Sequence, residues 1–169
     1  MANRRPGVVI GIVEDLNDPE GLGRVRVRLP WLGGEPLSHW ARVATPFASA
    51  ETGFHFRPQV GDEALLAFEH GNTDYPYVLG YLWSGENTPP ALDSVAQRLV
   101  TTIAGHRLVF DDGDQPSLTI EDGNGNKLVM NAEGIQIESA KDVLIKGANI
   151  NIEADQQLTL KGNPVHINP

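Results

Sequence analysis

Apolar residues recur in a regular pattern near the end of the chain, between residues 135 and 167. They come in pairs separated by one residue, and the first members of successive pairs lie 8, 7, 8 and 7 residues apart. A helical stripe would need spacings of three and four, so this spacing predicts short β-strands. We predict that the inward side chains of these strands form a core made of Ile135, Ile137, Val143, Ile145, Ile150, Ile152, Leu158, Leu160, Val165 and Ile167.

Ordering the backbone costs about 1–2 kcal/mol of conformational entropy per residue. Strands this short cannot bury enough apolar surface within one chain to offset that cost. A single-chain solenoid is one remedy, but it needs roughly 20 residues per turn and about three turns, more than the segment 135–167 supplies. Three identical chains wound around one axis remove the deficit, because each inward pair then meets two copies of itself. The pattern therefore predicts a triangular prism of three chains, with water-facing residues Glu138, Lys141, Asp142, Lys146, Asn149, Glu153, Asp155, Gln156 and Lys161.

Residues 7–83 show a different pattern, with strand candidates rich in aromatic and β-branched residues. The stretch 23–29 alternates valine or leucine with arginine, which indicates a strand with one buried face. Further candidates lie at 40–47, 62–70 and 76–83, separated by turn-rich segments. About five strands without a convincing helix predict a small closed barrel of the OB type, because closure removes the sheet edges.

The pattern breaks after this region, at the sequence SGENTPPALDSVAQRLV. Two adjacent prolines favour an extended connection, and the stretch 91–99 is compatible with a short helical turn. We therefore predict three parts: an OB-fold collar domain at 1–84, a linker at 85–100 and a trimeric β-helical needle at 101–169.

A turn-forming sequence, DGNGNK, lies between the strand candidates SLTIE and KLVMN. Its Asn-Gly step predicts a tight hairpin. Asp122, Asn124, Asn126 and Glu133 also fall at positions 1, 3, 5 and 12 of an EF-hand-like calcium loop. Position 6 of such a loop is glycine, whereas Lys127 stands here, and the flanking segments are strands. The hairpin alone accounts for the sequence, and calcium binding is kept as the alternative.

Composition and charge narrow the classes of function. The chain of 169 residues has a net charge of −9 and no basic patch in either half, so we expect no nucleic-acid partner. The absence of cysteine excludes disulfides and thiolate metal sites. Because the N-terminal apolar run is too short for a secretion signal, we expect synthesis in the cytoplasm without a signal peptide.

The order of motifs resembles a known family, the spike proteins of contractile injection machines. This family includes the phage baseplate spike and the VgrG proteins of type VI secretion. GIVEDLNDPEGLGRVRVRLPWL is similar to the family's opening strand, its DP turn and the strand that follows. SHWARVATPFA and RPQVGDEALLAFEHGNTDYPYVLGYLW are similar to the next runs of the family pattern. AGHRLVFDDG, GNKLVMN and the repeating tail resemble the β-helical needle.

The resemblance implies an all-β homotrimer, with an N-terminal OB-fold barrel followed by a C-terminal triple-stranded β-helix of three intertwined chains. It implies a non-enzymatic, membrane-puncturing spike without a cofactor, in a phage tail, a type VI secretion system or a phage-tail-like particle. Baseplate hub or tail tube proteins would bind its N-terminal end, and the target membrane would be contacted mechanically. The long hub domains, the lysozyme domain and the effector extension of some members are missing, so we expect a minimal spike with a separate adaptor.

The last residues raise two questions about the tip. Some phage needles of the family hold an iron ion in three copies of an H-x-H motif, but Asn168 stands in place of the second histidine here. Side chains alternate along a strand, so His166 points outward if Val165 and Ile167 point inward. We therefore expect no metal at His166, unless a turn at 162–164 reverses which side chains point inward. The blunt end resembles members that carry a conical PAAR-repeat protein. We predict that such a tip protein docks on Asn163, Pro164, His166, Asn168 and Pro169.

Catalytic and binding alternatives have weaker support. Ser38 and His39 are adjacent, but no nucleophile elbow or positioned acid accompanies them, so we predict no enzymatic activity. Arg24, Arg26 and Arg28 form a row on one strand face, interpreted as a solvated outer face or as a contact with acidic neighbours in the assembly.

The alternative function is a trimeric OB-fold binding module for a saccharide or a nucleic acid. Such a module would show a basic groove lined by exposed aromatic residues. Trp31, Trp40 and Trp83 instead lie in strand-like contexts, where burial in a core or an interface is expected.

Overall fold

The structure is a computed structural model that describes residues 7–167. The chain divides into two compact units, Met1–Pro90 and Ala91–Pro169. Within the described residues the chain consists of β-strands, turns and one 3₁₀ turn at Glu69–Gly71. The all-β class predicted from the sequence is therefore confirmed.

The first unit contains a five-stranded sheet and a small hairpin. Its strands are β1 Val8–Asp15, β2 Arg26–Arg28, β3 Arg42–Val43, β4 Ala48–Ser49, β5 Thr52–Gly53, β6 Glu63–Phe68 and β7 Pro76–Leu82. The sheet has the order β2-β1-β6-β7-β3 and is antiparallel except for the β3–β7 pair. Val25 and Ala41 exchange backbone hydrogen bonds of 3.0 and 2.7 Å, which join the two ends of the sheet. This closure is consistent with the predicted OB barrel.

The core of this unit follows from the period-2 alternation of its strands. On β6 every second side chain is buried, and around β2 each arginine alternates with a buried apolar residue. The one buried face predicted for residues 23–29 is therefore present. The buried cluster consists of Val13, Val25, Val27, Leu29, Ala41, Ala64, Leu66 and Val78.

The second unit begins as an antiparallel meander of five strands, β8 Gln97–Thr101, β9 Arg107–Asp111, β10 Ser117–Glu121, β11 Lys127–Asn131 and β12 Gly134–Glu138. Their order in the sheet is β12-β11-β10-β9-β8. The turn at 122–126 joins β10 to β11, with Glu121 facing Lys127, and confirms the predicted hairpin. Its Gly125 has a φ of 86°, which glycine adopts without steric cost.

The segment before the meander differs from the sequence-based expectation. Residues 91–99 form no helix, and Gln97 instead begins β8, which pairs along its whole length with β9. Pairing with β9 satisfies the backbone groups that a helical turn would have paired locally. The division into 1–84, 85–100 and 101–169 stays a prediction, with its last linker residues lying in β8.

Residues 139–167 form no strand pairs with any described part of the same chain. Two-residue bends occur at 140–141, 148–149, 155–156 and 163–164, so they recur at intervals of 8, 7 and 8 residues, and a single-residue bend follows at 167. The local backbone also repeats: a Cβ added to Gly147 would lie 3.1 Å from the carbonyl oxygen of Asn149, and one added to Gly162 would lie 3.2 Å from that of Pro164. The period of the apolar pairs is therefore also a period of the backbone.

Candidate functional site

The meander of the second unit has one apolar face. Residues paired across an antiparallel ladder lie on the same face of a sheet, so the register assigns each side chain. Apart from Arg98 on the edge strand β8, this face carries nine apolar residues. We call it the apolar face, and its members are Val100, Leu108, Phe110, Leu118, Ile120, Leu128, Met130, Ile135 and Ile137.

The opposite face of the same sheet is suited to water. Arg107, Glu121, Lys127 and Glu138 form a row of alternating charge across β9 to β12. Opposite charges on neighbouring strands stabilise a sheet, whereas like charges there would destabilise it. This opposite face also carries Leu99, Val109 and Val129, so it is mixed in character, whereas the apolar face has the larger uninterrupted apolar area.

No described residue after position 78 is buried in the single chain. The exposed fraction of the ten predicted core residues between 135 and 167 ranges from 48% at Val165 to 76% at Ile167. Monomeric proteins rarely leave a contiguous apolar surface of this kind uncovered. The apolar face and the apolar pairs after it thus form one candidate association surface.

The hairpin turn at 122–126 is organised by hydrogen bonds within the protein. The Asp122 carboxylate accepts bonds from the backbone N–H groups of Asn124 (2.8 Å) and Asn126 (2.9 Å), and from the Asn126 side-chain amide (2.7 Å). The side chain and backbone of Asn126, joined by Asn124, hold the pKa of Asp122 well below its usual range. Glu133 lies in the next turn, between β11 and β12. These bonds account for the sequence as a turn, and the described residues contain no group of three or more His, Cys, Asp or Glu side chains placed to hold a metal ion. Calcium binding through Asn124 and Asn126 stays the alternative prediction.

The predicted tip residues lie at the end of the described chain. Asn163 and Pro164 form the last of the regular bends, and His166 is exposed between Val165 and Ile167. The other two residues predicted to dock a tip protein, Asn168 and Pro169, lie outside the described residues. A metal site at His166 would take one histidine from each of three copies, and the structure describes one chain. The expectation of no metal at His166 therefore stays a prediction.

The arginine row on the first unit is paired within the chain. Arg24 contacts the nearly buried carboxylate of Asp18 at 2.6 Å, and hydrogen bonding by Arg24 lowers the pKa of Asp18 well below its usual range. Arg28 binds Glu35 at 2.6 Å and Glu14 at 3.5 Å. Arg26 donates to the carbonyl of Ser38 and lies over the Trp40 ring. The carboxylates that this row requires come from the same chain, which neither sequence-based interpretation anticipated.

The adjacent Ser38 and His39 serve the barrel. The buried hydroxyl of Ser38 accepts from the Val27 N–H (3.1 Å) and donates to the carbonyl of His39 (2.6 Å). The His39 ring is mostly exposed and lies 3.7 Å from Asp74, away from that hydroxyl's partners. Among the described residues, the hydrogen-bond partners of the Ser38 hydroxyl are thus both backbone groups of the barrel, which is a structural role.

A groove that sequence reasoning missed lies beside the β4–β5 hairpin and has a volume of about 790 Å³. Three exposed phenylalanines, Phe47, Phe54 and Phe56, line it. Phe47 ends the strand candidate at 40–47, whereas Phe54 and Phe56 lie in the turn-rich segment after it, although their F-x-F spacing is that of a strand face. Among the tryptophans, Trp31 packs against the core and Trp83 is 66% exposed in the single chain.

The charge of this groove does not match the basic groove expected of a nucleic-acid module. Arg24 and Arg57 line it together with Asp18 and Glu51, and Arg24 is already paired to Asp18. Aromatic residues are present as such a module would require, but the excess of positive charge is not.

No helix in the described chain is both long and apolar enough to span a bilayer.

Comparison with protein-family models matches both units. Residues 9–83 match the type VI secretion system and phage-baseplate injector OB domain. Residues 97–169 match the phage baseplate V C-terminal trimerisation domain. The two matches follow the order and the boundaries that the fold displays. This chain therefore belongs to the family of phage-baseplate and type VI secretion spike proteins.

Individual relatives give the same assignment. The chain is 29% identical over 147 residues to the type VI secretion system spike protein VgrG3 of Vibrio cholerae, covering 83% of this chain and 14% of that protein. It is 36% identical over 72 residues to the actin cross-linking toxin VgrG1 of Vibrio cholerae, covering 40% and 7%. It is 35% identical over 72 residues to the spike protein VgrG2a of Pseudomonas aeruginosa, covering 40% and 9%. The chain thus spans between 7% and 14% of the length of these relatives.

Proposed function

We propose that this protein is the homotrimeric structural spike of a contractile injection machine. In this proposal the OB unit forms a collar toward the baseplate hub or tail tube, and the second unit forms a needle that pierces the target envelope. The family assignment of both units supports the class of machine part. The relatives named as spike proteins support its placement in a secretion system or a phage-like particle.

The observation that carries the proposal is the uncovered repeat at 139–167. The segment bends every 7 or 8 residues, and each interval between bends presents one apolar pair that no described part of the chain covers. Burying one such side chain contributes about 1.5–3 kcal/mol, which a solitary chain does not gain. Three copies around one axis would bury every pair against its own equivalents, in a triple-stranded β-helix.

The meander supports the same assembly. Its apolar face continues the same surface through Ile135 and Ile137, while its charged row faces the other way. Three such sheets with their apolar faces turned inward would make the upper part of the needle. A prism built in this way suits axial load, because bending it would break hydrogen bonds and apolar contacts of several chains together.

The proposal extends to partners and chemistry. A PAAR-type tip protein would dock on the needle end, where Val165 and Ile167 are exposed in the single chain. Hub proteins would bind the collar, and the membrane would be met mechanically. The spike itself would have no enzymatic activity, in keeping with the structural use of the Ser38 hydroxyl.

Light scattering on the full chain at micromolar concentration tests the proposal. We expect the mass of a trimer, and a trimer band that survives SDS at room temperature because interwound chains unfold slowly. A monomer under these conditions would contradict the proposal. Cross-linking in intact particles should then capture a small tip protein on residues 163–167, and incubation with peptidoglycan should release no fragments.

A further inference from the structure

The β4–β5 hairpin of the OB unit displays an aromatic cluster to solvent. Phe47, Phe54 and Phe56 are 52%, 51% and 65% exposed. The rings of Phe47 and Phe54 meet edge to face at 5.8 Å, and those of Phe54 and Phe56 stack at 6.3 Å. We call these three residues the aromatic patch.

The patch is held on a built scaffold. The Phe54 N–H donates to the Phe47 carbonyl (3.2 Å), and Thr45 Oγ1 donates to the Phe54 carbonyl (2.7 Å). Beside Phe56, the guanidinium of Arg57 donates to the Leu16 carbonyl across the groove (2.8 Å). A surface fixed in advance loses little side-chain and loop entropy on binding, which favours its use as an interface.

A second uncovered apolar patch lies on the outer face of β1 and β7. Val8, Ile10, Leu79 and Leu82 are 56%, 44%, 47% and 36% exposed. The register places Val8, Ile10 and Leu82 on one face, opposite Ala67, Leu65 and Glu63 of β6. Leu79 lies at the bulge of β7, next to Gly80, which faces Leu65. We call this set the strand patch.

The two patches also carry complementary charges. Within the described residues Arg57, next to Phe56, forms no salt bridge with a carboxylate, and its guanidinium donates a hydrogen bond to the Leu16 carbonyl. Glu63 faces both Ile12 and Leu82 in the register, so it lies within the strand patch, and it has no basic partner among the described residues. A half-buried carboxylate beside apolar groups is favoured when a cation meets it.

We propose that the aromatic patch of one copy packs against the strand patch of the next copy, so that three OB units close into a ring. This inference rests on the proposed trimer. A cyclic trimer needs two different surfaces that fit each other, and the OB unit has one aromatic and one aliphatic surface of opposite local charge. In the ring, Arg57 of one copy meets Glu63 of its neighbour.

The modest size of the patches fits a tethered copy rather than a freely diffusing partner. A stable interface between free proteins buries about 1,000 Å² or more in total, and three half-exposed phenylalanines supply only part of that. Copies already joined through the second unit meet at an effective concentration in the millimolar range for short connections. An interface too weak for free domains is therefore sufficient here.

Photo-cross-linking of the full chain tests the ring. A photoreactive benzoylphenylalanine replaces Phe56, the purified protein is irradiated and boiled in SDS, and covalent species are mapped by mass spectrometry. We expect bands of dimer and trimer mass in which position 56 is joined to residues 8–12 or 79–83. The same probe at Ile10 should capture residues 47–57 of another copy.

Charge variants provide the matched control for the same probe. Glu63→Arg should remove most of the cross-link at position 56, and the double variant with Arg57→Glu should restore it. Each variant is first checked by light scattering, so that loss of the trimer is distinguished from loss of the ring.

A trimer whose probe at position 56 captures only its own chain, or a different surface, would overturn the ring and leave the proposed spike standing. A monomer would overturn both. Blocking of the cross-link by an added single-stranded oligonucleotide or oligosaccharide would also overturn the ring, because the aromatic patch would then be a ligand site.

Discussion

Apolar residues alternate with polar ones in both units of this chain, but they are buried in the first unit and exposed or half-buried in the second. In the OB unit Val13, Val27, Leu66 and Val78 are 0% exposed, because five strands surround them. In the second unit no described residue is buried, although its strands pair in good register. Backbone pairing alone therefore does not make a core, and a single sheet leaves its apolar face open.

This difference separates two ways in which a short β-rich sequence becomes stable. The OB unit closes its sheet through the Val25–Ala41 bonds, and closure provides both sides of its core. The second unit has no closing strand among the described residues, and in the proposed trimer the other two copies supply the cover. Stability of the second unit should therefore depend on association, whereas that of the OB unit should not.

The largest effect is expected from a charge on the repeat. Ile150→Asp should abolish the trimer, because three buried carboxylates would meet near one axis, each with a desolvation penalty of several kcal/mol. Asn151→Asp is the matched control, since the neighbouring position faces outward in the proposed prism. Light scattering at micromolar concentration should give a monomer or an aggregate for the first variant and a trimer for the second. Equal behaviour of the two variants would contradict the proposed core.

Leucine truncation in each unit sharpens the comparison. Leu66 is 0% exposed, so Leu66→Ala should cost about 2–5 kcal/mol in unfolding free energy. Leu158 is 53% exposed in the single chain, where truncation would cost no more than about 0.5 kcal/mol. If three copies bury it, Leu158→Ala should cost as much per chain as Leu66→Ala.

The two effects can be measured in one protein. All three tryptophans lie in the first unit, so tryptophan fluorescence reports on the OB unit while circular dichroism reports on both. Leu66→Ala should shift the fluorescence transition, and Leu158→Ala should shift only the dichroism. An unchanged dichroism transition for Leu158→Ala would show that this leucine stays exposed.

The sequence predicts features that depend on neighbouring residues. The alternation of arginine with apolar residues around β2 identifies a one-sided strand, and the Asn-Gly step at 124–125 identifies the β10–β11 hairpin. The fold class follows from these local patterns and from the absence of helical spacing. The family resemblance extends them to the order of the two domains, and the domain matches confirm it.

Features that depend on distant contacts were missed. Local propensity favoured a helical turn before Leu99, but pairing with Val109 on β9 makes this segment a strand. Arg28 meets Glu14 only after β1 and β2 pair, and it meets Glu35 only after the chain turns back between Leu29 and Leu37. The aromatic patch likewise requires the β4–β5 hairpin to bring Phe47 beside Phe54. None of these contacts has a signature within a few residues of sequence.

A smaller effect is expected where the β8–β9 turn and the β10–β11 turn of the second unit contact each other. A Cβ added to Gly123 would collide with the carbonyl oxygen of Ala104, so Gly123→Ala should force the two turns apart. We expect a cost of about 1–3 kcal/mol, seen in the dichroism but not in the fluorescence. Gly33→Ala, with open space around the added atom, is the control and should change neither transition. A shift of equal size for both variants would mean that backbone freedom, not the collision, sets the cost.

The smallest effects should come from the two turn carboxylates, one in each unit. The partners of Asp18 and Asp122 hold both pKa values below the usual range, with Arg24 the leading cause for the first and Asn126 for the second. A lowered folded-state pKa contributes stability that is fully present above the unfolded pKa of about 3.9 and is lost as the pH falls through the folded value. Asp18→Asn should therefore weaken the OB unit at pH 7, with a deficit that shrinks as the pH falls below about 4.

Asp122→Asn should have the same pH dependence in the dichroism of the second unit, and the exposed Asp114→Asn should leave both transitions unchanged. Because Asp122 lies in a hairpin turn formed within one chain, its contribution should persist in the Ile150→Asp variant if the meander still folds there. If the pH-dependent deficit of Asp122→Asn disappears together with the trimer, the meander itself requires the other copies. The boundary between the self-sufficient and the shared parts of the molecule would then lie before β8, between the two units.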